Sequence, residues 1–245
     1  MEVHHPHHVT HKKKWGEYLL EFFMLFLAVF LGFVAENIRE DVVEQHREKQ
    51  FMQSLIKDLQ LDTAYANLCL QSINSRMLSI DSTLDYFMAH QKVTRVPLST
   101  IRQMKRSTWD QVFLEHTGTI DQLKYSGGLR LIQNRQIVDS IESYYQQINR
   151  YTLSRLAYRN NQDFVFSLGE KILDAFDNAR FYQHKINLND SSTMAINNTY
   201  LNEYLNLLLR LKNSANNDKN NYNIVKSRAN NVIALISKQY NIEDE

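Results

Sequence analysis

Residues 52–87 read MQSLIKDLQLDTAYANLCLQSINSRMLSIDSTLDYF, and their periodicity decides the fold. Met52, Ile56, Leu59, Thr63, Ala66, Leu70, Ile73, Met77, Ile80, Leu84 and Phe87 alternate in steps of four and three without a break. Ten of these eleven positions are apolar, which makes a heptad seam along one face of a long helix. A strand would need alternation in steps of two, and none is present.

Outward from this seam the chain stays poor in turn residues. It has six glycines and two prolines in 245 residues, and no proline follows Pro97. A β-sandwich, a barrel or a repeated βαβ pattern needs far more Gly and Pro than that. The expected fold class is all-α: an N-terminal transmembrane helix followed by an elongated helical bundle with long heptad-patterned helices.

A second seam begins after Asn134, a residue suited to cap a helix. Ile137, Ile141, Tyr144, Ile148, Tyr151, Tyr158, Val165, Ile172 and Phe176 hold the register, interrupted by Arg155, Gln162 and Gly169. A third runs through Leu211, Ala215, Tyr222, Val225, Ala229, Val232 and Ile236 after the apolar stretch 201–209. The polar stretch 185–198 reads as the connection between them. Shorter pieces lie between Pro97 and Asn134, with Ser99 and Thr119 as caps and Gly127-Gly128 as a stop and turn. Three stripes in one chain favour packing against one another, with a parallel dimer along the first seam as the alternative.

Toward the N-terminus, residues 19–35 read LLEFFMLFLAVFLGFVA and carry one charge, Glu21. Seventeen residues cover roughly 26 Å as a helix, enough for a thin bilayer core. Trp15 and Tyr18 stand at its start, where amphipathic rings prefer the headgroup layer. Lys12, Lys13 and Lys14 precede the span and Arg39 alone follows closely, so the positive-inside rule puts the N-terminus in the cytoplasm. A cleaved signal peptide would need a small residue where Phe33 stands, which favours an uncleaved anchor. The domain plan is therefore a His/Lys-rich cytoplasmic tail over 1–17, a transmembrane helix over 18–35, and a helical extracytoplasmic domain over 36–245.

Within the span, Glu21 is a candidate intramembrane carboxylate, although it lies near enough to the boundary to reach the headgroups. Ala28 and Gly32 form a small-xxx-small pair, a candidate helix contact. The net charge of +1 gives no reason to expect nucleic acid. One cysteine, Cys69, excludes an intramolecular disulfide framework.

Chemistry-bearing patterns are sparse. His4, His5, His7, His8 and His11 crowd the tail, but nothing in the pattern orders them into a metal site, and no cofactor or metal is expected. Arg102, Lys105 and Arg106 share a helix face followed by Trp109, a candidate interaction patch for an anionic partner. His116 has Glu115 and Asp121 nearby, yet no nucleophile motif or His-Glu-x-x-His spacing accompanies it. No catalytic residue is assigned.

The start MEVHHPHH, the span leading into AENIRE, and REKQFMQSLIKDLQLD resemble a family of single-span membrane proteins from Bacteroidota with a helical C-terminal domain of unknown function. The stretch TIDQLKYSGGLRLIQNRQIVDSIESYY, residues 119–145, strengthens the likeness. The resemblance implies a bacterial inner membrane and a periplasmic domain, and it carries no functional residues over. The expected function is a non-enzymatic envelope protein whose periplasmic bundle binds a protein partner or a second copy of itself. The alternative is a sensory or ligand-binding ectodomain acting through a membrane partner.

Overall fold

The structure is a computed structural model that describes residues 14–183 and 192–242. The histidine cluster, Lys12, Lys13, residues 185–191 of the polar stretch and the side chain of Tyr158 lie outside the described residues. The fold is 84% helical. In chain order come α1 (Trp15–Ala89), β1 (Arg95–Pro97), α2 (Leu98–Ser107), α3 (Gly118–Tyr125), α4 (Arg135–Ile172), α5 (Ala175–Tyr182), β2 (Thr193–Ala195) and α6 (Leu201–Tyr240). Short 3-10 turns occupy Gly128–Leu131 and Asn198–Tyr200.

The chain divides between Gln50 and Phe51 into two compact units. The first holds the apolar part of α1. This helix is long and apolar enough to cross a membrane, and none of that apolar window is buried. Phe22, Phe26 and Phe30 stack one turn apart, with ring centroids 6.4 and 6.1 Å apart. Ala28 and Gly32 are exposed, and a side chain at Gly32 would meet nothing within 4 Å. Glu36 and Arg39 form an ion pair one turn apart beyond the apolar stretch.

The second unit is built on the three seams. Met52, Ile56, Leu59, Ala66, Ile73, Ile80, Leu84 and Phe87 of the α1 seam are buried, and the chain's own helices cover them. Each of the Met, Ile, Leu and Phe side chains among them, if fully buried, contributes about 1.5–3 kcal/mol. Leu55, Asp62, Cys69, Arg76 and Thr83, one heptad apart, form a second buried line beside that seam. A stripe this broad has two helices to face, α4 and α6.

The buried residues fall into two cores. One joins Met52 to Ile73 of α1, Ile137 to Tyr151 of α4 and Ala215 to Ile236 of α6. The other joins Ile80 to Phe87 of α1, Val165 to Ile172 of α4 and Leu201 to Leu211 of α6. That order makes α1 and α4 parallel and α6 antiparallel to both.

Four local readings need correction. Pro97, not Ser99, stands at the N-cap of α2, and Leu98 donates from its backbone N to Ser192 O. Thr117, not Thr119, stands at the N-cap of α3, without a side-chain cap bond; the Thr119 N–H is satisfied by Asp58 of α1 at 3.1 Å. Phe176 does not continue the α4 seam, because α4 ends at Ile172 and Asp174 starts α5, accepting from Phe176 N and Asp177 N. Phe176 is consequently exposed. Part of the stretch read as a polar connection is β2, whose Met194 pairs with Val96 of β1, both fully buried. The Asn134 cap is present, with its side chain accepting from Gln136 N.

Candidate functional site

The break between the two cores is polar. Each long helix contributes there: Arg76 from the second buried line of α1, Arg155 from the seam of α4, and Asp218 from the seam of α6 between Ala215 and Tyr222. The fourth member, Asp110, comes from the segment joining α2 to α3.

That segment is held to α1 and α4 by hydrogen bonds. Asp62, fully buried, accepts from His116 N at 2.8 Å, His116 Nδ1 at 2.7 Å and Tyr144 OH at 2.6 Å. Tyr145 OH donates to His116 O, Gln111 Nε2 donates to Tyr65 OH at 2.7 Å, and Gln162 Nε2 donates to Thr108 O at 2.6 Å. Phe113 plugs between Tyr65 and Tyr222, with ring centroids near 6 Å from each. Fixed from both sides, the segment presents Asp110 to the two arginines.

Arg76 lies 3.1 Å from Asp110 Oδ1 and 3.4 Å from Asp218 Oδ2. Arg155 pairs with Asp110 Oδ2 and donates to Tyr151 OH at 2.9 Å. Tyr151 OH and Tyr222 OH are 2.5 Å apart. Two cations and two anions thus neutralise one another where isolated charges would be costly. The network is nevertheless incompletely bonded. Arg76 Nε and Asp110 Oδ1 are buried and make no hydrogen bond among the described residues. Buried polar atoms are paired in the great majority of cases, so two orphans in one network call for a cause.

The surroundings shift the titrations. Burial raises the Asp218 carboxyl above its ordinary value, against the opposing pull of Arg76 and Arg155. Burial pushes Tyr151 up to about 12 and raises Tyr222 still further, with Tyr151 reinforcing the latter. The Cys69 thiol is raised by burial as well, which keeps it protonated and unreactive.

Beside the quartet opens a cavity of about 520 Å³, within the 300–1,000 Å³ range of small-molecule sites. All four charged residues and Tyr151 line it. Val112, Leu114 and Leu156 form apolar walls that remain exposed, and Arg159, Glu115 and Asp163 add charge.

The residues singled out from the sequence are not brought together here. Arg102, Arg106 and Trp109 are exposed on and just after α2. Lys105 is taken out of that patch: its Nζ donates to Asn178 at 2.9 Å, Tyr182 OH at 3.0 Å and Glu170 at 3.3 Å, and sits over the Tyr182 ring. Its charge fastens α2 to α4 and α5, leaving Arg102 and Arg106 as the two exposed bases where three were expected. The acid that orients His116 is Asp62, not Asp121. Glu21 stands in the first unit. Among the described residues no group of three or more His, Cys, Asp or Glu is placed to hold a metal ion.

The cavity is hidden in the sequence because three of its charged residues, Arg76, Arg155 and Asp218, sit within the helical stripes. Arg155 and Gln162 read as interruptions, whereas both face this joint. The usable signal was three charged residues inside apolar stripes on three different helices. No family model, no curated protein and no solved structure matches the chain.

Proposed function

We propose that this chain is a membrane-anchored binding protein. The apolar segment 19–35 anchors it in a bacterial inner membrane with the N-terminus in the cytoplasm. The unit from Phe51 onward faces the periplasm and takes a small molecule into the cavity beside Arg76, Asp110, Arg155 and Asp218. Its work is recognition rather than chemistry, and the bound state is passed to a partner in the membrane. The observation that carries this reading is the cavity itself, which combines under-bonded buried charges with exposed apolar walls. Lysines before the span and the resemblance to single-span envelope proteins support the orientation.

Two experiments test it. Ligand-observed NMR of the full-length protein in detergent against a mixed metabolite library should find binders that Leu156→Trp, which fills the cavity, displaces. No displaced binder in any chemical class would end the reading. For topology, Asn230→Cys on exposed α6 should react with a membrane-impermeant maleimide added from the periplasmic side of spheroplasts; protection until lysis would reverse the orientation.

A protein-interaction role keeps a specific observation in its favour. Leu61 and Leu68 are exposed one heptad apart on the outer face of α1, a short apolar strip left largely uncovered by the described residues. Crosslinking from native membranes should recover a partner, or a second copy, that Leu61→Lys with Leu68→Lys releases.

A further inference from the structure

We infer that the cavity's ligand is a small zwitterion with an apolar side chain, the chemistry shared by a free apolar amino acid and its dipeptide. The inference rests on the binding reading above and adds the class of ligand.

Three observations lead to it. First, the cavity presents both signs at once. Arg155 and Asp218 line it with 21% and 14% of their side-chain surfaces still accessible. A carboxylate set against Arg155 and an ammonium against Asp218 each gain a charge-assisted bond. A purely anionic ligand would face Asp110 and Asp218, and a purely cationic one would face Arg76 and Arg155, so either is opposed by half of the quartet.

Second, the quartet is neutral but not saturated. Among the described residues Arg76 Nε makes no hydrogen bond, and Asp110 Oδ1 meets Arg76 as an ion pair without one, so the network can take up one further group of each kind. Burial opposes the Asp218 charge, and an incoming ammonium would offset that penalty.

Third, apolar surface lies beside the charges and is uncovered. Leu114 and Leu156 are 65% and 59% exposed at the cavity wall. A ligand held by its two charges at the quartet places its side chain over them, which removes that surface from water. A sugar would leave this surface wet, and a fatty acid would bring one charge for two signs.

The test uses the full-length protein in detergent micelles with calorimetric titration of leucine, leucylleucine, isocaproate and isoamylamine. The last two keep the apolar chain and remove the ammonium or the carboxylate. Leucine or leucylleucine should bind, with each one-charge analogue weaker by roughly tenfold or more, as the loss of one charge-assisted bond requires. Which of the first two binds more tightly separates amino acid from dipeptide. Arg155→Gln should narrow the gap between leucine and isoamylamine, and Asp218→Asn the gap between leucine and isocaproate, with circular dichroism checking that each variant stays folded. Equal binding of a one-charge analogue by the wild type would overturn the inference. Binders of another class that Leu156→Trp displaces, with no zwitterion among them, would overturn it too and leave the binding reading standing. Absence of any displaced binder would remove both.

Discussion

Arg76 illustrates how one side chain commits three helices. It is 3% exposed and its charge is answered by Asp110 and Asp218. Arg76→Met leaves those acids with Arg155 as the one remaining cation of the quartet, and a broken buried pair costs about 3–5 kcal/mol. Denaturant unfolding should show a loss of that order, and Arg76→Met with Asp218→Leu should lose less than the two single changes summed. The buried tyrosines set an alkaline limit. Burial raises Tyr144, Tyr145, Tyr151, Tyr204 and Tyr222 above their ordinary value near 10, Tyr151 to about 12. An unfolded chain sheds these protons first, so it binds fewer protons than the folded chain above pH 10. The stability they contribute is therefore complete below that pH and is lost as pH rises through the folded values. Tyrosinate absorbance from these five buried tyrosines should appear only together with loss of helical circular dichroism. At this scale the sequence was least informative. Asp62 and Arg76 lie outside a seam of two positions per heptad, whereas the buried stripe of α1 has three.

At the level of elements, the long helices were legible because a seam repeating over many turns has one structural meaning. Asn134 was legible for the same kind of reason, since its carboxamide satisfies a helix N–H locally. The segment 108–117 was not, because its bonds go to α1 and α4, 29 and more residues away in sequence. Asp62→Ala removes the Oδ1 acceptor of two His116 donors and the Oδ2 acceptor of Tyr144, and losing three buried bonds should cost on the order of 3 kcal/mol. Hydrogen exchange should show the His116 amide unprotected in that variant while α6 keeps its protection. Gly127 was read rightly as a turn. It sits at φ +70°, where an L side chain is strained, so Gly127→Ala should cost about 1–2 kcal/mol and Gly127→Asn less, by thermal unfolding.

For the whole molecule, the boundary between Gln50 and Phe51 separates a unit with exposed apolar side chains from one with its own cores. Residues 51–245 alone should be soluble, helical and cooperatively unfolding, whereas the full chain should stay in the membrane pellet after alkaline carbonate extraction. A soluble full chain would show that the apolar segment is not an anchor. The sequence by itself determined the helical class, the long stripes and the apolar segment, because each depends on spacing within a single stretch of chain and on the near absence of Gly and Pro. Tertiary structure alone decided that α4 and α6 cover the α1 seam, that Lys105 leaves the basic patch, and that Arg76, Asp110, Arg155 and Asp218 meet beside a cavity. Those outcomes depend on which faces of distant helices come together, and a charge inside an apolar stripe does not name its partner until the opposing helix is in place.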